Sequence, residues 1–105
     1  LVFRELHMSI KKAKEKEIKK FLNEYGDWEL ADGKLHREYE FADFLAAFSF
    51  MTTAALAADR ADHHPEWCNV YNRVVVDLTT HEAGGITERD FDLAREMDRI
   101  AGDIG

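Results

Sequence analysis

Basic charge is what this chain most lacks: 14 Lys and Arg stand against 21 Asp and Glu, a formal net charge of −7. Direct binding to nucleic acid or an anionic membrane needs a concentrated basic surface to neutralise phosphate, so neither is expected as a partner. The one basic run, Lys11 to Lys20, is interleaved with Glu15 and Glu17 and reads as a solvated helix face with i,i+4 pairs such as Glu15 with Lys19. Cysteine is reduced to Cys68, which excludes an internal disulfide and points to a reducing compartment, the cytoplasm. No apolar stretch approaches the roughly 20 residues of a membrane-spanning helix. One proline in 105 residues leaves little room for disordered linkers, and the length suits a single domain with a single core, for which oligomerisation is a natural way to add burial.

The first eight residues, Leu1 to Met8, resemble a protease-cleavage remnant of an expression vector, which would make Met8 the native start, give His7 no role and leave 9–105 as the domain. From Ser9, a plausible N-cap, the apolar positions Ile10, Ala13, Ile18, Phe21, Leu22 and Tyr25 share one side of a helix that Gly26 stops. Trp28 to Ala31 and Lys34 to Phe41 flank Asp32-Gly33, a pair favoured in type I′ turns, and predict a β-hairpin. Within it Leu35, Tyr39 and Phe41 alternate with His36, Glu38 and Glu40, while Arg37 is expected at an edge or with its stem over the core.

Asp43 can cap a second helix to about Asp59, with Phe44, Phe48, Met51, Ala55 and Ala58 in one stripe and Leu45, Ala47, Ala54 and Leu56 widening it. That is too much apolar surface for one contact, so a second face is expected to meet another subunit. Trp67 to Tyr71 and Arg73 to Thr80 predict a second hairpin, with Val74, Val76, Leu78 and Thr80 on one face and Val75, Asp77 and Thr79 on the other. Gly84-Gly85 ends the strand. Thr87 and Asp90 then form a capping box, with Ile86 and Phe91 as a hydrophobic staple, opening a third helix through Ala94, Met97 and Ile100. The order α-β-β-α-β-β-α predicts an α+β two-layer sandwich, a four-stranded antiparallel sheet with helices on one face.

Three of the five histidines fall between Asp59 and Asp90: His63-His64-Pro65-Glu66-Trp67 follows Asp59, and His81 follows Tyr71. Imidazole alone gives and takes protons near neutrality in its unperturbed state, so the cluster calls for a chemical explanation. Pro65 biases His64 toward extended backbone, and a hairpin through Tyr71 and Arg73 would set His63 and His64 beside His81 at the end of the fourth strand. A zinc site using the three histidines with Asp59 or Asp62 fits less well, because adjacent histidines diverge and no HExxH or CxxC element is present. Cys68, between Trp67 and Asn69, reads as a packing residue rather than an activated thiolate. The capping box already accounts for Asp90, Trp67 and Tyr71 fit a strand core, and Asp59 and Asp62 fit the polar end of a helix, although acids beside histidines also fix tautomers.

These residues resemble the pterin-4a-carbinolamine dehydratases, whose pattern is a charged residue, three positions, His-His-Pro, five positions, an aromatic, nine positions, His, and later Asp. Asp59, His63, His64, Pro65, Tyr71, His81 and Asp90 meet every element, and the similarity runs from about Trp28 to Ile100. The resemblance implies dehydration of a 4a-hydroxytetrahydropterin to a quinonoid dihydropterin and water, with no metal or cofactor and the pterin as substrate. It implies that His63 and His81 act as the general acid/base pair, with His64 holding the pterin and supporting transfer. It further implies pocket contacts from Pro65 and Trp67 and from Thr80, His81, Glu82 and Ala83 through their backbone, with Asp59, Asp62 and Asp90 behind them. Glu82 stands where many relatives carry Asp, and Asp59 where others carry Glu. The relatives' assembly implies a homodimer through sheet edges or a homotetramer through the second helix. An alternative role is implied too, that of a non-catalytic dimerisation cofactor of a homeodomain transcription factor through that helix, which would add a nuclear location.

Overall fold

A computed structural model describes residues 10–105; the expected vector remnant, His7 and the Ser9 cap lie outside the described residues. The elements are α1 (Glu15–Glu24), β1 (Glu29–Ala31), β2 (Lys34–Glu40), α2 (Phe44–Ala61), β3 (Glu66–Val70), β4 (Arg73–Leu78), a 3-10 turn (His81–Ala83) and α3 (Glu88–Ile104). The four strands form one antiparallel sheet in the order β1-β2-β4-β3. This is the α+β sandwich expected from the pattern.

The first hairpin turns at Asp32 and Gly33, whose φ values of 53° and 76° are the left-handed pair a type I′ turn requires. Leu35, Tyr39, Val74, Val76 and Leu78 point to the covered face and are buried, as their alternation predicts. Phe50 of α2 lies between the rings of Tyr39 (4.6 Å) and Phe41 (5.1 Å), and Phe21 of α1 stacks on Phe91 of α3 at 4.8 Å. Helices and sheet thus share one core. Arg37 lies on central strand β2, not at an edge; its guanidinium sits 4.1 Å over the Tyr39 ring, so the stem does cover the core.

Three expectations are corrected. The first helix begins at Glu15, with Ile10 and Ala13 in the extended segment before it. There the Glu17 carboxylate accepts the Lys14 backbone N–H at 2.7 Å, and the Ala13 N–H bonds Ile86 O at 2.7 Å. The second helix runs to Ala61 and buries Ala47, Phe50, Ala54, Ala57 and Ala58, whereas Phe44, Leu45, Phe48 and Leu56 are exposed. Apart from Phe50 the inward residues are alanines, which let the helix lie close to the sheet, and Phe44, Leu45, Phe48 and Leu56 form a second, outer apolar face. The fourth strand ends at Leu78, and His81 opens the 3-10 turn rather than ending a strand. Among the described residues no helix is long and apolar enough to cross a membrane.

Candidate active site

The end of α2 sets the direction of the His63-His64 pair. Asp62 caps the helix in the left-handed region (φ 51°), and the His63 N–H turns back to Ala58 O at 3.1 Å. Asp62 is an exposed cap, not a partner of any histidine among the described residues. The His63 imidazole then points inward, 8% exposed, and places Nε2 2.6 Å from Oδ1 of Asp90, which is fully buried.

Asp90 is the third residue of α3, and its two oxygens divide the work. Oδ2 accepts the Thr87 N–H at 2.9 Å, closing the capping box, and the Thr80 hydroxyl at 2.8 Å; Oδ1 faces His63. The Thr80 and Thr87 hydroxyls are 2.8 Å apart, and Thr87 Oγ1 accepts the Arg89 N–H at 3.2 Å. With the Thr80 proton directed to Asp90, the Thr87 hydroxyl donates to Thr80, and every acceptor faces a donor. A buried carboxylate surrounded by donors favours the Nε2–H form of His63. Its Nδ1 has no hydrogen-bond partner among the described residues. The residue lines a groove of about 260 Å³ between α2 and α3, with Ala57, Ala61, Arg89, Leu93 and Glu96.

His64 lies on the other side of the segment. It is 59% exposed, with Nε2 3.3 Å from Asp59 Oδ1, and with Pro65 and Trp67 it borders a depression of about 380 Å³. That depression continues into an apolar one walled by Phe48, Met51 and Leu56. His81, 76% exposed, holds Nε2 3.0 Å from Oε2 of Glu66, whose other oxygen is 2.5 Å from Lys34 Nζ. Lys34 first, then His81, keep the Glu66 carboxyl below the usual carboxylate range, and Glu66 in turn raises the Lys34 ammonium above its ordinary value.

The structure therefore joins His63, Asp90 and Thr80 into one network, and brings the Glu66 end of the His-His-Pro segment against His81. It gives each of the three imidazoles its own carboxylate rather than bonding them to one another. Thr80 is buried, its hydroxyl on Asp90 and its N–H and C=O engaged by Gly85 and Ala83, so it supports the site from beneath. Glu82 is exposed and Ala83 half-buried in the 3-10 turn, which Gly84 closes at φ 76°. Cys68 is exposed on β3 rather than packed inside, and Tyr71 is an exposed turn residue at φ 51° rather than strand core. Glu66 was missed from the sequence. Its only signal was its place on the outward face of β3, opposite Asp77 and next to the strand that leads to His81. Among the described residues no group of three or more His, Cys, Asp or Glu side chains is arranged to hold a metal ion.

The family model described as pterin 4 alpha carbinolamine dehydratase matches residues 11–100. A Solibacter usitatus protein named as a pterin-4-alpha-carbinolamine dehydratase is 59% identical over 90 residues, 86% of this chain and 95% of that protein. One of the same name from Chelativorans is 53% identical over 96 residues, 90% of this chain and 98% of that protein. A crystal structure from Brucella melitensis, described as a transcriptional coactivator/pterin dehydratase, superposes with a TM-score of 0.84 at 46% identity, covering 88% of this chain and all of that one. A pterin dehydratase-like RuBisCO assembly factor of the alpha-carboxysome shares the fold, with a TM-score of 0.60 at 18% identity, over 71% of this chain and 87% of that one.

Proposed function

This chain belongs to the pterin 4 alpha carbinolamine dehydratase family of hydro-lyases, and from that premise we propose that it removes water from 4a-hydroxytetrahydrobiopterin by histidine acid–base chemistry. The observation that carries the reading is the buried His63–Asp90 pair at 2.6 Å. Loss of the 4a-hydroxyl needs a proton on the departing oxygen, and the ring nitrogen must lose one for the quinonoid imine system to form. An imidazole held at Nε2 by a buried carboxylate and open at Nδ1 can take or give that proton, and the carboxylate stabilises the imidazolium that forms. His63 and His81 are the acid/base pair, and His64, Pro65 and Trp67 hold the flat heterocycle. The reaction needs no metal or cofactor, and its place is the recycling of tetrahydrobiopterin in the cytoplasm.

Stopped-flow decay of enzymatically generated 4a-hydroxytetrahydropterin tests this. The intact protein should accelerate decay regardless of chelator, and His63→Ala and His81→Ala should each lose about 10²–10⁴-fold while staying folded. Decay at the uncatalysed rate with the intact protein would refute it.

A second reading rests on the outer face of α2. Phe44, Leu45, Phe48 and Leu56 are 47%, 73%, 51% and 58% exposed on one helix, more apolar surface than a lone domain keeps uncovered without use. A homotetramer that joins sheet-edge homodimers through this helix would cover it, as would a homeodomain transcription factor if the chain acts as a coactivator, in the nucleus. Leu45→Glu with Phe48→Glu should reduce the assembly mass in sedimentation and leave the dehydration rate within a few-fold. An unchanged mass would remove α2 as the contact.

A further inference from the structure

His63 and His81 are held in the same manner. Each presents Nε2 to a carboxylate, 2.6 Å from Asp90 and 3.0 Å from Glu66, and leaves Nδ1 outside that bond. The two carboxylates are fixed differently. Asp90 is buried and saturated by Thr80, Thr87 and His63, whereas Glu66 lies at the surface of edge strand β3 and would be free to rotate if nothing held it. Lys34 supplies the restraint: it follows the Asp32-Gly33 turn at the start of β2, and its ammonium reaches over β4 to Glu66 Oε1 at 2.5 Å. One Glu66 oxygen is thereby anchored and the other is left to take His81.

We infer that Glu66, anchored by Lys34, is a positioning residue of the dehydratase: it holds His81 in the Nε2–H form, with Nδ1 turned to the substrate. The claim rests on the proposed acid–base role of His81 and extends it to the residues that orient the ring. Glu66 touches no reacting atom in this arrangement. An exposed imidazole otherwise samples both tautomers and several rotamers, and only a fraction of these would present a lone pair toward the pterin. Covering of the site by the flat substrate would strengthen the Glu66 bond by excluding water from it.

Two measurements test the inference, one of them independent of activity. Long-range ¹⁵N–¹H correlation spectra above the titration range of the ring should show His81 of the intact protein mainly as Nε2–H, and Glu66→Ala should shift it toward a tautomer mixture. In stopped-flow assays Glu66→Ala should lower kcat about 10-fold with KM within about 2-fold, as loss of an orienting partner does. Glu66→Gln, whose one amide oxygen is taken by Lys34 so that its N–H faces His81 Nε2, should turn the ring to the Nδ1–H form and recover little of the rate, and Lys34→Ala should lose less than Glu66→Ala. In a His81→Ala background Glu66→Ala should cost nothing further. An unchanged His81 tautomer in Glu66→Ala, or a rate loss that persists undiminished without His81, would overturn the assignment. If the intact protein does not dehydrate the pterin at all, the functional reading fails, and the tautomer measurement still decides whether Glu66 orients His81.

Discussion

Two carboxylates on α3, Asp90 and Asp98, are each surrounded by donors, but only one has a partner that can give up its charge. Asp98 accepts Trp28 Nε1–H at 3.0 Å, Arg37 Nη1–H at 2.8 Å and the Tyr39 hydroxyl at 2.5 Å. Its counter-ion is a guanidinium, which stays protonated at any working pH. Burial first, then the bond to Asp98, pushes the Tyr39 phenol up from its ordinary value, so it remains a neutral donor. Asp90 has hydroxyl and amide donors and an imidazole, whose proton can leave. The first network pins β2 and the residue before β1 to the helix. The second uses similar geometry to hold a movable proton where the groove between α2 and α3 begins.

Mutations should separate the two. The largest expected effect is on catalysis: Asp90→Asn keeps shape and an acceptor for the Thr87 N–H but turns an amide N–H toward His63 Nε2. That forces the other tautomer, and it should cost about 10²-fold or more in kcat by stopped flow. Next is Asp98→Ala, which leaves the Arg37 guanidinium without its anion and should cost about 3 kcal/mol in urea unfolding, with the rate per folded molecule unchanged. Thr80→Val removes one donor to Asp90 and leaves the Thr87 hydroxyl without its acceptor, at about 1–2 kcal/mol by the same measurement.

The smallest effect sharpens the comparison with a third pair, His36 Nδ1 and Asp77 Oδ1 at 2.8 Å on the outer sheet face. The Asp77 bond, ahead of Glu38, raises the His36 imidazole above its ordinary value. The raised folded value means that the pair stabilises fully below about pH 6.5 and that this contribution is lost as pH rises through the folded value. His36→Asn should therefore destabilise by a few tenths of a kcal/mol more at about pH 5.5 than at about pH 8.5, a small difference because solvent screens the pair.

Local chemistry made most of the fold legible. Asp32-Gly33, the run Val74 to Thr80, the Asp43 cap, whose carboxylate accepts Ala46 N–H at 2.8 Å, and the Thr87–Asp90 box each act within a few residues. The orientation of α2 was not legible, because both of its faces are apolar and only contact with the sheet selects the alanines for the inside. The Lys14–Glu17 bond, in a lysine-rich run with few sequence markers, overrode Ser9 as the expected start of α1. In the site, the spacing of His63, His64 and His81 pointed to the chemistry proposed above. The capping box hid half of Asp90, since one oxygen accounts for the cap and gives no sign that the other holds an imidazole. Asp98 was not singled out at all, its partners lying 59 to 70 residues away and meeting it only through the tertiary fold.

The most direct measurement sets Asp90→Asn beside Asp98→Asn, following dehydration of the 4a-hydroxytetrahydropterin and urea unfolding for both. The account predicts that Asp90→Asn loses the rate while most of it remains folded, and that Asp98→Asn loses stability while each folded molecule turns over as before. Equal rates in the two variants, with Asp90→Asn as fast as the intact protein, would contradict it.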